Sequence, residues 1–378
     1  MYGFEELLLK LSFSNEMMSL TTKIATITTD GVLDLAKKTL FDKGVIAIPT
    51  ETVYGLAAKL YPDAIAKIYE IKNRPQDNPL IVHIYNEECL LDLVSDINDC
   101  QKQLMKAFWP GALTILFKVN PSVPKEVTAG LNTIAIRCPS HPITREILKI
   151  CGPLAAPSAN SSGKPSPTLP SHVYTDLNGK IPLIIDGGPC SVGLESTVCN
   201  PLSTPPCILR PGIISLQEIQ QVPGMQNCVN KQNSTIIQSP GMKYKHYEPS
   251  IPVFVVCSST LNLTFDFPDN SAIITDNSLP ISTTTTNYKV LKGDHLSTST
   301  VKDINFVSEQ DFLIHKHSGS IGVKVDNIRH SLYHLLRVLD GENGFEQKSC
   351  IFVFINSIVI KEDVYNRLFK ASSHFYIN

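Results

Sequence analysis

A chain of 378 residues, 43% apolar and 18% charged, is long enough for two domains with separate cores and too apolar to remain disordered. Its formal net charge of −2 excludes a broadly basic nucleic-acid binder, while leaving room for a local basic cleft. The ten cysteines stand singly, several in apolar runs, so the pattern excludes a zinc ribbon or a C-x-x-C redox pair and fits a reducing compartment.

No apolar run approaches the ~18 residues of a membrane span. Residues 1–25 read as an N-terminal extension, helical from Phe4 to Leu11; Glu5, Glu6 and Glu16 argue against a presequence, and a cytoplasmic location is expected. The first domain is expected over residues 26–220. Asp30 can cap a helix over Val32–Phe41, and Gly44–Ile48 is a short strand stopped by Pro49. Pro62–Lys72 predicts a helix, with Pro62 in its first turn and Ile65, Ile68 and Ile71 on one stripe. Leu80–Ile84 reads as a strand, Leu90–Phe108 as largely helical and Leu113–Val119 as a strand. Further strands fit Thr133–Arg137, Leu154–Ala156, Leu183–Ile185 and Ser196–Cys199. This mixture predicts a layered α/β domain without regular βαβ alternation.

Residues 221–250, with Pro223, Gly241 and Pro249, read as a linker. The second α/β domain, 251–378, carries strands Val253–Cys257, Ala272–Ile274, Ile321–Val325 and Ile351–Ile355, and helices Leu332–Leu339 and Glu362–Ala371. Their alternation favours parallel pairing.

Chemistry concentrates in a few islands. Thr50, Glu51, Thr52 and Tyr54 follow a strand and could recognise a small zwitterion, or form an ordinary polar turn. Lys72 and Arg74 stand two apart ahead of Pro75, which biases Arg74 away from helix, so both cations could face one cleft and hold phosphates. The alternative is a solvated helix end. His83 in its strand could be a core histidine or a ligand contact. Ser158 and Asn160 close another strand with donors and acceptors suited to phosphate or ribose, and Arg210 adds a cation at a turn. No P-loop, G-x-G-x-x-G or G-x-S-x-G pattern is present. His315 and His317 lack a third ligand, so no protein metal site is expected.

In order, PTETVYGL, KNRP, PLIVHI, FWPGALT, IAIRCP, APSANSSGKPSPT, DGG, ESTV and LRPG resemble the YrdC family of threonylcarbamoyl-AMP synthases over roughly residues 26–220. SPGMKYKHYEPSIP at 239–252 is similar to the linker of that family's longer, two-domain branch. One departure is Ile355-Asn356-Ser357-Ile358-Val359, where the branch carries a Gly-rich segment. The resemblance implies a twisted mixed-sheet domain with a concave substrate cleft, followed by a smaller Rossmann-like α/β domain. It implies conversion of L-threonine, bicarbonate and ATP into threonylcarbamoyl-AMP and pyrophosphate, for modification of adenosine 37 in tRNA. Lys72 and Arg74 would be catalytic; Thr50, Thr52, Tyr54, His83, Arg137 and Thr197 would bind threonine. ATP would meet Lys72, Arg74, Arg137, Ser158, Asn160, Ser196, Arg210, His246 and Tyr247, with Mg2+ held mainly through ATP oxygens. The 221–250 segment would act as a lid anchored by the second domain. A complex that transfers threonylcarbamoyl to tRNA would take the product, tRNA would be met indirectly, and no membrane is involved. Two other functions on this fold, RNA binding and carbamoyl transfer in hydrogenase maturation, are disfavoured by the charge of −2 and by the missing cysteine pairs.

Overall fold

Short apolar runs interleaved with helices build one large mixed sheet in the first domain. The computed structural model describes residues 20–231, 247–258, 271–276, 290–291, 314–315, 321–325, 328–342, 347, 349–356, 361–372 and 374–377. The expected Phe4–Leu11 helix, His246 and His317 lie outside the described residues.

The chain opens with strand β1 (Lys23–Thr26), helix α1 (Val32–Phe41), β2 (Ile46–Ile48) and β3 (Gly55–Lys59). Gly31, in the left-handed region, occupies the cap position of α1 that was expected of Asp30. β3 was not expected from the sequence: Ala57 pairs with Ile46 and Gly55 with Ile48. Helix α2 (Pro62–Lys72) starts on its proline and ends at Asn73, whose φ of 50° turns the chain so that the Arg74 amide reaches the Tyr69 carbonyl. β4 (Ile81–His83) follows.

The long helix expected over Leu90–Phe108 is divided. A single turn at Glu87–Leu90 and strand β5 (Val94–Asp96) precede helix α3 (Asp99–Phe108). The reason is local: Asn98 Oδ1 accepts from the Gln101 amide and Gln101 Oε1 accepts from the Asn98 amide, a capping box that restarts the helix. Next come β6 (Leu113–Val119), α4 (Lys125–Thr128), β7 (Thr133–Arg137), α5 (Pro142–Cys151), β8 (Leu154–Ala155), α6 (Pro170–Leu177) and β9 (Leu183–Asp186). β10 (Thr197–Asn200), β11 (Cys207–Arg210), α7 (Leu216–Gln220) and β12 (Val229–Asn230) complete this part. The strand order is β1-β9-β2-β3-β8-β4-β7-β6-β10-β11-β12, with β5 beside β6.

Helices cover the sheet. Val32, Leu40, Ile147 and Leu148 of α1 and α5 pack with Ile46, Ile48 and Leu183. Ile65, Ile68, Leu104 and Met105 of α2 and α3 pack with Leu56, Val82, Ile115 and Phe117. Each such side chain, fully buried, contributes about 1.5–3 kcal/mol relative to exposure. Val222, Met225 and Cys228, within the expected linker, belong to the same core, so first-domain packing continues past Gln220. A third cluster of strand side chains includes Ile81, Leu116, Ala135 and Val198, and Ile81 also lines the cleft. Cys138, Cys151, Cys190, Cys199, Cys207 and Cys228 are buried and free.

The second domain is a parallel sheet, as its alternating pattern predicts. Strands β13 (Val253–Ser258), β14 (Ser271–Asp276), β17 (Ile321–Val325), β18 (Cys350–Asn356) and β19 (His374–Ile377) lie in the order β17-β14-β18-β13-β19. The short pair β15 (Val290–Leu291) and β16 (Ile314–His315) stands apart. Helices α8 (Ile328–Leu339) and α9 (Glu362–Ala371) carry the packing: Leu332, Leu336, Val364 and Leu368 join Val253, Ile274 and Val353, and the cluster extends to Val53, Leu194 and Tyr247. Arg337 Nη2 lies 2.9 Å from Asp176 Oδ2, and Arg367 Nε lies 3.0 Å from Glu195 Oε2, both pairs buried between the domains. His172 and His334 meet there too, 3.0 Å apart through Nε2 and Nδ1.

Candidate active site

The Pro49–Leu56 segment folds on its own hydroxyls. Thr50 Oγ1 donates to the Val53 carbonyl at 2.6 Å and accepts from the Thr52 and Val53 amides, while lying 2.9 Å from Thr52 Oγ1. Arg137, at the end of β7, donates from Nη1 to Thr52 Oγ1 at 2.7 Å and from Nε to the Gly111 carbonyl at 3.1 Å. Its Nη2 stands 2.7 Å from Glu51 Oε1. Burial opposes the Glu51 charge, but Arg137 outweighs it and holds the carboxyl below its ordinary range. Tyr54 OH donates to the Gly188 carbonyl at 2.6 Å and accepts from the Gly187 amide, which ties the loop to the Gly-Gly turn. Burial, reinforced by Arg137, pushes His83 down to about 3, so it is neutral, and its Nδ1 has no hydrogen-bond partner among the described residues.

Opposite this wall lie the cations. Arg74 Nε and Nη2 donate to the Asn78 and Pro79 carbonyls at 3.1 and 2.9 Å; burial lowers its pKa to about 10, which leaves it charged at neutral pH. Lys72 is buried, and its Nζ donates to the Ser158 and Asn160 carbonyls. Asn160 Nδ2 donates to the Ser161 and Lys164 carbonyls, and its buried Oδ1 has no partner among the described residues. Ser196 Oγ lies 2.7 Å from Thr114 Oγ1 and accepts from Arg210 Nη2 at 3.2 Å. Arg210 also donates from Nε and Nη2 to the Ser196 carbonyl.

These two walls enclose a cleft of about 670 Å3, open solvent at its mouth included. Of the residues expected from sequence, Thr50, Thr52, Tyr54, Arg74, His83, Arg137, Ser158, Asn160, Ser196, Arg210 and Tyr247 all line it. Lys72 is not among the lining residues; it lies beneath the loop it holds. Thr197 is also outside the lining, where its Oγ1 donates to the Ile214 carbonyl at 2.8 Å and fixes the turn after Arg210. Tyr247, at φ 69°, closes one side, and the following Glu248 amide donates to the Gly163 carbonyl at 3.0 Å. The lining also contains Lys164, Ser166 and Glu195, which sequence reasoning did not single out, although each sits inside a quoted motif and Glu195 adjoins Ser196. Among the described residues, no group of three or more His, Cys, Asp or Glu side chains is placed to hold a metal ion.

Residues 38–212 match the Sua5/YciO/YrdC family model, described as telomere recombination, and residues 214–373 match one described as the threonylcarbamoyl-AMP synthase C-terminal domain. The threonylcarbamoyl-AMP synthase of Bacillus subtilis is 48% identical over 234 residues, covering 60% of this chain and 67% of that one. The Schizosaccharomyces pombe synthase is 46% identical over 248 residues, which span 57% of this chain and 61% of its own length. The solved structure of P. abyssi Sua5 complexed with L-threonine superposes with a TM-score of 0.74 at 30% identity, over 95% of this chain and 99% of that chain. The chain therefore belongs to the threonylcarbamoyl-AMP synthase family, in the branch whose catalytic-type domain is followed by a dedicated C-terminal domain.

Proposed function

We propose that this chain is a cytoplasmic enzyme that makes threonylcarbamoyl-AMP and pyrophosphate from L-threonine, bicarbonate and ATP. The observation that carries the reading is a single cleft with two complementary walls. Thr52, His83 and Arg137 line it together with Arg74, Ser158 and Arg210.

The amine of threonine condenses with bicarbonate to an N-carboxylate, releasing water. A carboxylate oxygen of that carbamate then attacks the α-phosphorus of ATP, and the bond to pyrophosphate breaks. No protein nucleophile is needed; the cleft acts by alignment and by fixed positive charge. Arg137 orients the threonine carboxylate, while neutral His83 offers Nδ1 as an acceptor to an N–H of its amine. Arg74 and Arg210 hold the phosphates, and Ser158, Asn160 and Ser196 hold the nucleotide. Lys72 acts from below by fixing the Ser158–Asn160 backbone. Glu51 and Glu195 are engaged by arginines, so a magnesium ion carried on the triphosphate would be held mainly through ATP oxygens and would supply charge neutralisation of the phosphates. Tyr247, at the edge of the cleft, helps keep water from the labile carbamate. The product passes to a complex that transfers threonylcarbamoyl to adenosine 37 of tRNA.

Pyrophosphate release measured in purified full-length protein tests this. It is expected to require threonine, ATP and dissolved carbonate together. Undiminished release in carbonate-free buffer would overturn the reading.

A further inference from the structure

Glu195 lines the cleft, yet most of its partners come from the second domain. Oε1 accepts from Ser166 Oγ, whereas Oε2 accepts from Tyr333 OH at 2.8 Å and from Arg367 Nε at 3.0 Å. Arg367 and Tyr333 are both 0% exposed. The same guanidinium donates from Nη1 to the Pro211 carbonyl at 2.8 Å, the residue directly after Arg210. It also lies 5.5 Å from the centroid of the Tyr247 ring, which stacks on Tyr333. One side chain of α9 thus touches the carboxylate, the turn and the aromatic ring that border the phosphate side of the cleft.

The alternative partner for Glu195 is Arg210. Arg210 uses Nε and Nη2 on Ser196, and its Nη1 has no hydrogen-bond partner among the described residues. A buried carboxylate left without Arg367 must find another cation or take a proton. Turning to Arg210 would neutralise the charge that faces the cleft. Burial opposes the charge of Glu195, but Arg367 and then Arg210 outweigh it and hold the carboxyl down at about 2. On the same helix, burial and then Arg367 and Arg210 push Lys370 down to about 8, with Glu195 opposing them.

We infer that Arg367, assisted by Tyr333, is a positioning residue for the nucleotide phosphates: it occupies Glu195 and fixes the Pro211 carbonyl, so that Arg210 stays presented to an anion. The inference rests on the proposed ATP site.

The test uses full-length Arg367→Met, Tyr333→Phe, Glu195→Gln and the Arg367→Met/Glu195→Gln pair. Binding of a non-hydrolysable ATP analogue and of threonine is measured by calorimetry, beside melting temperature. Arg367→Met should weaken the analogue about tenfold or more with threonine affinity unchanged. Tyr333→Phe, which retains the ring stack, should give a smaller loss of the same kind. In the Glu195→Gln background, Arg367→Met should add less than about threefold, because no charge remains to be diverted. Additive losses, or equal losses for both ligands that follow melting temperature, would overturn the inference and leave Arg367 as interdomain packing. A wild-type protein that binds no ATP analogue would instead overturn the proposed function.

Discussion

Lys72 Nζ lies 2.5 Å from the Asn160 carbonyl oxygen, across 88 residues of sequence. It makes a second bond to the Ser158 carbonyl, so one ammonium shapes the backbone that presents both polar side chains to the cleft. Lys72→Met should raise the KM for ATP and lower the melting temperature together. Each lost charge-assisted bond is worth about 1.5–3 kcal/mol, and the buried Asn160 carbonyl would be left without its donor. Steady-state kinetics beside thermal melts check this; an unchanged KM and melt would remove Lys72 from the site.

Arg137 and Arg210 should separate by substrate. Arg210→Ala is expected to weaken ATP use by about tenfold to a hundredfold, with a smaller effect on threonine. Arg137→Ala should damage both, since the residue contacts Thr52 and also balances the buried Glu51. Varying each substrate separately decides the matter, and identical profiles for the two variants would refute the division.

Acid should destabilise the protein below about pH 6.5. Burial holds His83 down to about 3, His334 to about 4 and His172 well below its ordinary value, with Arg337 acting on both interdomain histidines and His330 on His334. The unfolded chain takes up these protons as pH falls through about 6.5 and the folded chain does not, so stability is lost on acidification. The slope approaches about 1.4 kcal/mol per pH unit for each group. Glu195 behaves separately: its contribution is complete above its ordinary carboxyl range and is lost only as pH falls towards about 2. Urea unfolding at pH 7.5, 6 and 5 tests the window, and His334→Gln should flatten the slope by about one proton. Equal stability at all three values would contradict the burial argument.

Arg337→Met should destabilise the domain contact by roughly 3–5 kcal/mol, because it removes the main partner of buried Asp176. Lys164 remains on Asp176 at 3.0 Å but is half-exposed. A fragment ending at Lys231 should retain Val222, Met225 and Cys228 in its core, yet expose Val53 and Leu194. It is expected to melt below the full chain and to make little product adenylate. Full activity in that fragment would show that the second domain takes no part in the cleft.

Much of the site was legible because local chemistry marked it: hydroxyls after a strand, paired cations before a proline, and a small-residue loop at a strand end. The second domain's parallel order was legible from alternating strands and helices. Strand Gly55–Lys59 was hidden because its Gly-Leu-Ala-Ala run lacks the β-branched residues that announce a strand, and pairing to Ile46–Ile48 holds it extended. Helices Pro142–Cys151 and Pro170–Leu177 were not expected either, since an initial proline punctuates a loop as readily as a first turn. Thr197 shows the limit of motif proximity: it adjoins Ser196, but its hydroxyl serves the Ile214 turn. Glu195 could not be paired with Arg367 by any local pattern, because 172 positions separate them.

That separation has a consequence for birth of the enzyme on the ribosome. At ~5–20 residues per second, Arg367 of helix α9 is synthesised roughly 9–34 s after Glu195. The first domain's sheet can close in that interval, since its strands precede residue 231. The Glu195 carboxylate, however, must wait in water for a guanidinium not yet made. A nascent chain therefore holds a folded scaffold before it holds a finished cleft, and a polypeptide released early leaves the ribosome as a scaffold without that final ion pair.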